Sequence, residues 1–345
     1  MGVGDDIASA FLERAIRLEG VKNDEWRRIR RLLRATERDL VDRLEEIGSA
    51  NTFTSRRAQQ QLRAVRDIVS SGKDAFFEAL EGRSFAIAQA EAEWVAGSLA
   101  RTVPVSVNWV VPTAAVIRQA AVGDPFPINV NEGGAYYLRE YVDQWADRLT
   151  ERTNAQLRIG ILEGEPISRI RNRIIGSEEF NRSPFIKANR SAETLTRTVV
   201  THVTDAARLR TYEANADVIA HEQWVSALDS RTSVTCLGLD GQIFDLGEGI
   251  RPPAHPNCRS VRIPLTRNAA QLRRRGVRIV RNEEGLNQNV PATVDGEEWF
   301  ASRGSAFQDN LVGPTRAQAF RDGALSWRDM IDDRGRVVSL EELGL

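Results

Sequence analysis

From Asp24 onward the apolar residues Trp26, Ile29, Leu33, Leu40, Leu44 and Ile47 fall mainly three, four or seven positions apart. That spacing puts them along one face of a helix. Arg27, Arg28, Arg30, Arg31 and Arg34, with several acids, fill the remaining positions and read as the solvated face. Gly48 and the 51–55 stretch punctuate the pattern, and Ser55 suits an N-cap. A second helix is expected to end near Ser71 and a third to run from Asp74 to about Ala100, as antiparallel helices with short connections.

The pattern breaks between Val103 and Pro112, where two prolines and β-branched residues intervene. A short helix over 114–122 and a loop over 123–132 are expected next. A long helix should carry Tyr137, Leu138, Tyr141, Trp145, Leu149 and Leu157, then a shorter one 167–175, then another from Ala188 to about Asn215. Beyond that the character changes. Val218 to Leu228 reads as a strand, Asp229-Ser230-Arg231 as a turn, Asp240-Gly241 as a hairpin reversal, and Val261 to Pro264 as a closing strand. The tail reads as a basic loop (Arg273, Arg274, Arg275, Arg278, Arg281) and a polar linker to Pro291. Helices over 296–311 and 313–322 and a terminal turn follow. The fold class is α+β: a helical region over 1–160, a small module with antiparallel hairpins over 161–265, and an extension with short helices over 266–345.

Charge narrows the function classes. The chain has 47 basic and 48 acidic residues and a net charge of −1. A protein that coats nucleic acid over most of its surface would be basic, so any DNA contact must be local. The candidate patch is Arg273, Arg274, Arg275 and Arg278, facing DNA or an acidic partner. Only three of the basic residues are lysines, and the excess of Arg fits the codon usage of a GC-rich genome. No run of 18 apolar residues exists, so no transmembrane helix and no membrane partner are expected. The first residues lack the basic start and apolar core of a signal peptide. Two cysteines do not make a disulfide scaffold, and a reducing bacterial cytoplasm is the simplest compartment.

Conventional catalytic signatures are missing. There is no phosphate-cradling Gly-rich loop, dinucleotide fingerprint or Gly-x-Ser-x-Gly elbow. His221-Glu222 begins like a zinc-protease helix, but Val225 stands where the second histidine would be.

The informative stretch runs from Gln223 to Pro264. It holds Trp224, then Asp229, Arg231 and Thr232, then Cys236, then Leu239-Asp240-Gly241. Pro252-Pro253, His255-Pro256 and Cys258-Arg259 close it. Asp229 can close its turn on the backbone two residues on. The prolines restrict the approach of His255, which brings it and Cys258 back toward Cys236.

This order of residues resembles the signature of the phage head morphogenesis family, the minor capsid proteins related to the Mu F protein. Upstream, Arg197-Thr198 is similar to an Arg-Thr-Glu element of the family, with Val199 in place of the acid. Downstream, Phe307-Gln308, Leu311–Arg316, Phe320–Gly323, Arg334–Arg336 and Leu340–Leu343 resemble the family's C-terminal end. The resemblance covers about residues 160–345. It implies a structural, non-enzymatic component of the virion, inside the phage head near the portal, acting in head morphogenesis and leaving with the DNA at ejection. The implied partners are the portal protein, the major capsid or a scaffolding protein, sister copies and packaged DNA. The rival readings are a DNA-binding ejected protein and an enzyme, a nuclease or an ADP-ribosyltransferase relative using Arg197.

Many family members carry Cys-x-x-Cys and later Cys-x-Cys, a spacing suited to tetrahedral zinc. Here Ser233 and Ser260 stand at the outer positions. Serine is a poor zinc ligand, so no metal or other cofactor is expected. Three states stay open for Cys236, His255 and Cys258: buried thiols beside a histidine bonded to a carbonyl, a metal site with one further ligand, or a Cys236–Cys258 disulfide.

Overall fold

The computed structural model describes residues 3–48, 55–103, 107–129, 131–267, 277–282, 284–291 and 293–345. It is α+β, with long helices first and short antiparallel strands after them. Helix α1 spans Val3–Gly48 and α2 spans Ser55–Thr102. The break expected near residue 72 is absent, because Gly72 sits inside α2. A Cβ there would lie 2.3 Å from Thr36 Oγ1. The glycine therefore marks a close helix approach rather than a turn. On α1 the buried positions Ile29, Leu33, Thr36, Leu40 and Leu44 repeat at three and four, as the spacing predicts.

Further along lie α3 (Ala114–Arg118), a π-helical turn (Gln119–Gly123), α4 (Leu138–Leu162), α5 (Ile167–Ile175) and α6 (Pro184–Glu213). Strand β1 (Ile219–Val225) lies centrally between β2 (Ile243–Asp245) and β3 (Val261–Thr266), antiparallel to both. A short helix, α7 (Val234–Leu239), intervenes where a hairpin strand was expected. Ser233 caps it by accepting from the Cys236 N–H at 3.1 Å. The Asp240-Gly241 reversal is present, with Gly241 at φ +86°, but it joins a helix to a strand. The hairpin signal was read correctly as a reversal and wrongly as strand-to-strand, because Ser233 nucleates a turn of helix first.

Over the described residues from 277 to 291, where a basic loop and a polar linker were expected, a β-hairpin pairs β4 (Val277–Arg281) with β5 (Asn287–Pro291). The tail adds α8 (Gly296–Ala301), α9 (Ser305–Val312) and α10 (Pro314–Arg321). Two helices thus stand where one was expected over 296–311.

The chain forms two compact units that interleave in sequence and do not follow the expected boundaries at 160 and 265. One comprises residues 21–84 and 136–200 and is helical. Within it Phe76 packs edge-on against Trp145 at 5.2 Å, and Trp145 Nε1 donates to the Ala188 carbonyl. The other comprises residues 1–20, 85–135 and 201–345 and holds all the strands. One of its cores joins Phe11, Val95, Leu99 and Tyr212 to the sheet residues Ile219, Val225, Val261 and Ile263. A second gathers Leu228, Leu237, Val280, Trp299, Phe300, Trp327 and Met330.

Candidate functional site

Trp224, on β1, is fully buried and its Nε1 donates to Ser226 Oγ at 2.9 Å. Ser226 Oγ donates to the Cys236 carbonyl at 2.6 Å and lies 3.1 Å from Ser260 Oγ. Its single proton being used, it accepts from Ser260. Ser233 caps α7 and Ser260, just before β3, bonds Ser226, while both hydroxyls also bond the Cys236 thiol.

The Asp229 turn is built as expected in one respect. Asp229 accepts from the Arg231 N–H at 2.9 Å. Its partner in charge, however, is Arg259, which holds both carboxylate oxygens at 2.6 Å. Burial raises this carboxyl, but the Arg259 bonds outweigh it and hold it below the usual range. The Arg231 side chain is 67% exposed and reaches Asp229 only at 3.7 Å, so residue 231 closes the turn through its backbone, as expected. Thr232 Oγ1 donates to the Ala227 carbonyl and accepts from the Asp229 N–H.

Arg278 corrects the sequence reading. Expected in a loop facing DNA or an acidic partner, it is 2% exposed on β4 and bonds Asp240, the Ser226 carbonyl and the Val294 carbonyl. An internal carboxylate takes this guanidinium. Arg273, Arg274 and Arg275 lie outside the described residues. Arg197 bonds Asn23 Oδ1 at 2.6 Å, and Val199 is buried and apolar where the rival enzyme would need an acid.

The three candidate metal ligands do converge. Cys236 lies on α7, while His255 and Cys258 lie on the segment after the buried prolines 252 and 253, whose shared peptide bond is cis. Cys236 Sγ is 3.0 Å from His255 Nε2 and 3.8 Å from Cys258 Sγ, and the three donor atoms all fall within 4.8 Å of one another. No disulfide joins the two sulfurs, so both cysteines are in the thiol form. His255 Nδ1 lies 2.9 Å from the Pro256 carbonyl oxygen. A carbonyl only accepts, so Nδ1 carries a proton, and Nε2 faces the sulfurs. Thr201 Oγ1 donates to the Cys258 carbonyl and fixes the segment to α6. Burial pushes the Cys236 thiol well up, while the bond from Cys236 pulls the Cys258 thiol well down. Cys258 is thus the readier thiolate. Two thiols and an imidazole form a donor set that fits zinc in chemistry, with three ligands in place of four. As a nucleophile the pair is poorly placed, since both cysteines are buried and a substrate would have to reach them.

Sequence reasoning missed a buried ionic cluster beside the sheet. Glu222, fully buried, accepts from Arg251 at 2.6 and 2.9 Å and from Arg262 at 3.2 Å. Arg251 also holds Asp205 at 2.7 Å. Arg262 stacks over Phe244, 4.0 Å from the ring centre, and burial pushes its guanidinium down to about 10. The alternation of β1 and β3 gave no warning, because charged residues on a strand ordinarily face water.

Residues 148–263, a third of the 345-residue chain, match the model of the family described as phage Mu protein F like protein. The match runs from within α4 to within β3 and contains the signature residues from Arg197 to Arg259. No curated protein and no solved structure matches the chain.

Proposed function

We propose that the chain is a structural minor capsid protein of a tailed phage, held in low copy near the portal inside the head and acting in head morphogenesis. The observation that carries this reading is how the signature residues are used. Asp229 is spent on Arg259, Asp240 on Arg278 and Thr232 on the Ala227 carbonyl, all within the domain. An enzyme of this family would aim such groups at a substrate. The portal protein, the major capsid or a scaffolding protein and sister copies are the proposed partners, and the virion is the proposed location.

The test is a deletion of the gene in its phage, with mass spectrometry of purified heads. The protein should be found in wild-type heads at a small number of copies, co-purify with portal complexes, and be needed for normal yields of filled heads. Its absence from heads, with normal assembly in the deletion, would overturn the reading.

A further inference from the structure

We infer that Cys236, His255 and Cys258 bind one thiophilic d10 cation, zinc(II) or copper(I), as a structural clamp joining α7 to the segment that precedes β3. Three independent features support this. The first is spacing. Two thiolates each about 2.3 Å from one ion at a tetrahedral angle stand about 3.8 Å apart, and the sulfurs are 3.8 Å apart. The second is orientation. Histidines that bind metals through one ring nitrogen usually donate the other to a carbonyl or carboxylate. Here Nδ1 has the Pro256 carbonyl, and Nε2 points into the sulfur pair. The third is support from the surrounding chain. Thr201 holds the Cys258 carbonyl, Ser226 holds the Cys236 carbonyl, and Ser233 holds the Cys236 N–H.

The serines at 233 and 260 set the coordination number. Both hydroxyls are engaged with protein groups, so the protein supplies three donors. Soft donors in so low a number suit cations that accept trigonal or distorted tetrahedral geometry, which favours zinc(II) and copper(I) over magnesium, calcium or manganese. On binding, the thiol protons leave to solvent and no electron is transferred. The clamp does not rest on the proposed role in the head and can fail or stand without it.

The test uses the full-length chain, purified without chelator and then stripped under anaerobic reducing conditions. Zinc(II), cobalt(II) and copper(I) are titrated separately, with folding followed by circular dichroism. One equivalent of cobalt(II) should give an intense thiolate-to-metal charge-transfer band in the near ultraviolet. One equivalent of zinc(II) or copper(I) should abolish it. The same equivalent should protect both thiols from alkylation, and whichever ion is retained on purification identifies the resident metal. Cys258→Ser should weaken binding by at least about a hundredfold, more than loss of a supporting hydrogen bond does. Should that variant fail to fold, the wild-type titration decides alone. A folded wild-type chain with two reactive thiols, no charge-transfer band and no ion bound near one equivalent overturns the inference.

Discussion

Arg278 and Asp240 form a two-pronged ion pair inside the protein, with bonds of 2.8 and 3.2 Å and side chains 2% and 0% exposed. The pair anchors the β4–β5 hairpin to the reversal that follows α7. Arg278→Ala would leave the Asp240 carboxylate buried without its counter-charge. The expected loss of stability is about 3–5 kcal/mol by chemical denaturation. A loss below about 1 kcal/mol would show that the pair contributes little.

Gly72 meets Thr36 at a distance no Cβ tolerates. In an exposed helix, Gly→Ala would stabilise by about 1 kcal/mol. Here Gly72→Ala should destabilise, because the short Thr36 side chain has little room to move. Thr36→Ala added to Gly72→Ala should recover most of the loss, since the two sites couple directly. Additive effects in the double variant would disprove the contact.

His202 is half-buried with its Nε2 shielded from solvent, stacked on Phe126 at 3.9 Å, and bonded to the backbone of Ala121. Burial drives its pKa from 6.5 down to about 4, with Asp124 opposing the shift. The unfolded chain therefore binds the proton more tightly than the folded one. This part of the stability is complete above about pH 6.5 and falls as pH drops toward 4, by about 3 kcal/mol in all. His202→Phe should flatten stability between pH 4 and 6.5 relative to wild type. An unchanged slope would assign the pH dependence elsewhere.

Asn215 pairs with the backbone of Val110 from both sides. Its Oδ1 accepts the Val110 N–H and its Nδ2 donates to the Val110 carbonyl, each at 2.9 Å, while Nδ2 also reaches the Thr211 carbonyl. Asn215→Asp keeps the shape and removes the donor. A loss of about 1–3 kcal/mol is expected, together with faster hydrogen exchange at Val110. Exchange unchanged from wild type would argue that water replaces the side chain without cost.

Much of this was legible in the residues. The three-four spacing located the face of α1, and 167–175 was placed to the residue as α5. The signature residues Arg197 to Arg259 fall inside the region that the family model matches, 148–263, while the downstream resemblance over 307–343 lies beyond it. What escaped had physical causes. Gly72 looks like punctuation unless the facing Thr36 is known. The helix α7 is six residues long, too short for periodicity to reveal. Arg278 in a run of arginines reads as surface, because its partner Asp240 lies 38 positions away. The Glu222 cluster was hidden for the same reason, as Arg251, Arg262 and Asp205 come from separate elements. At the candidate metal centre both the serines and the return of His255 and Cys258 toward Cys236 were visible, because the prolines before His255 restrict the chain there.

The interleaving of the two compact units also fixes an order of events during synthesis. The helical unit of 21–84 and 136–200 has all its residues once position 200 has emerged from the ribosome. The other needs residues 1–20 to meet partners such as Tyr212 and Ile263, made some two hundred positions later. Contacts of such long range form slowly. The Phe11 end of α1 can meet Trp94, Val95 and Leu99 early, but it waits for its sheet-side partners until residue 263 has been translated.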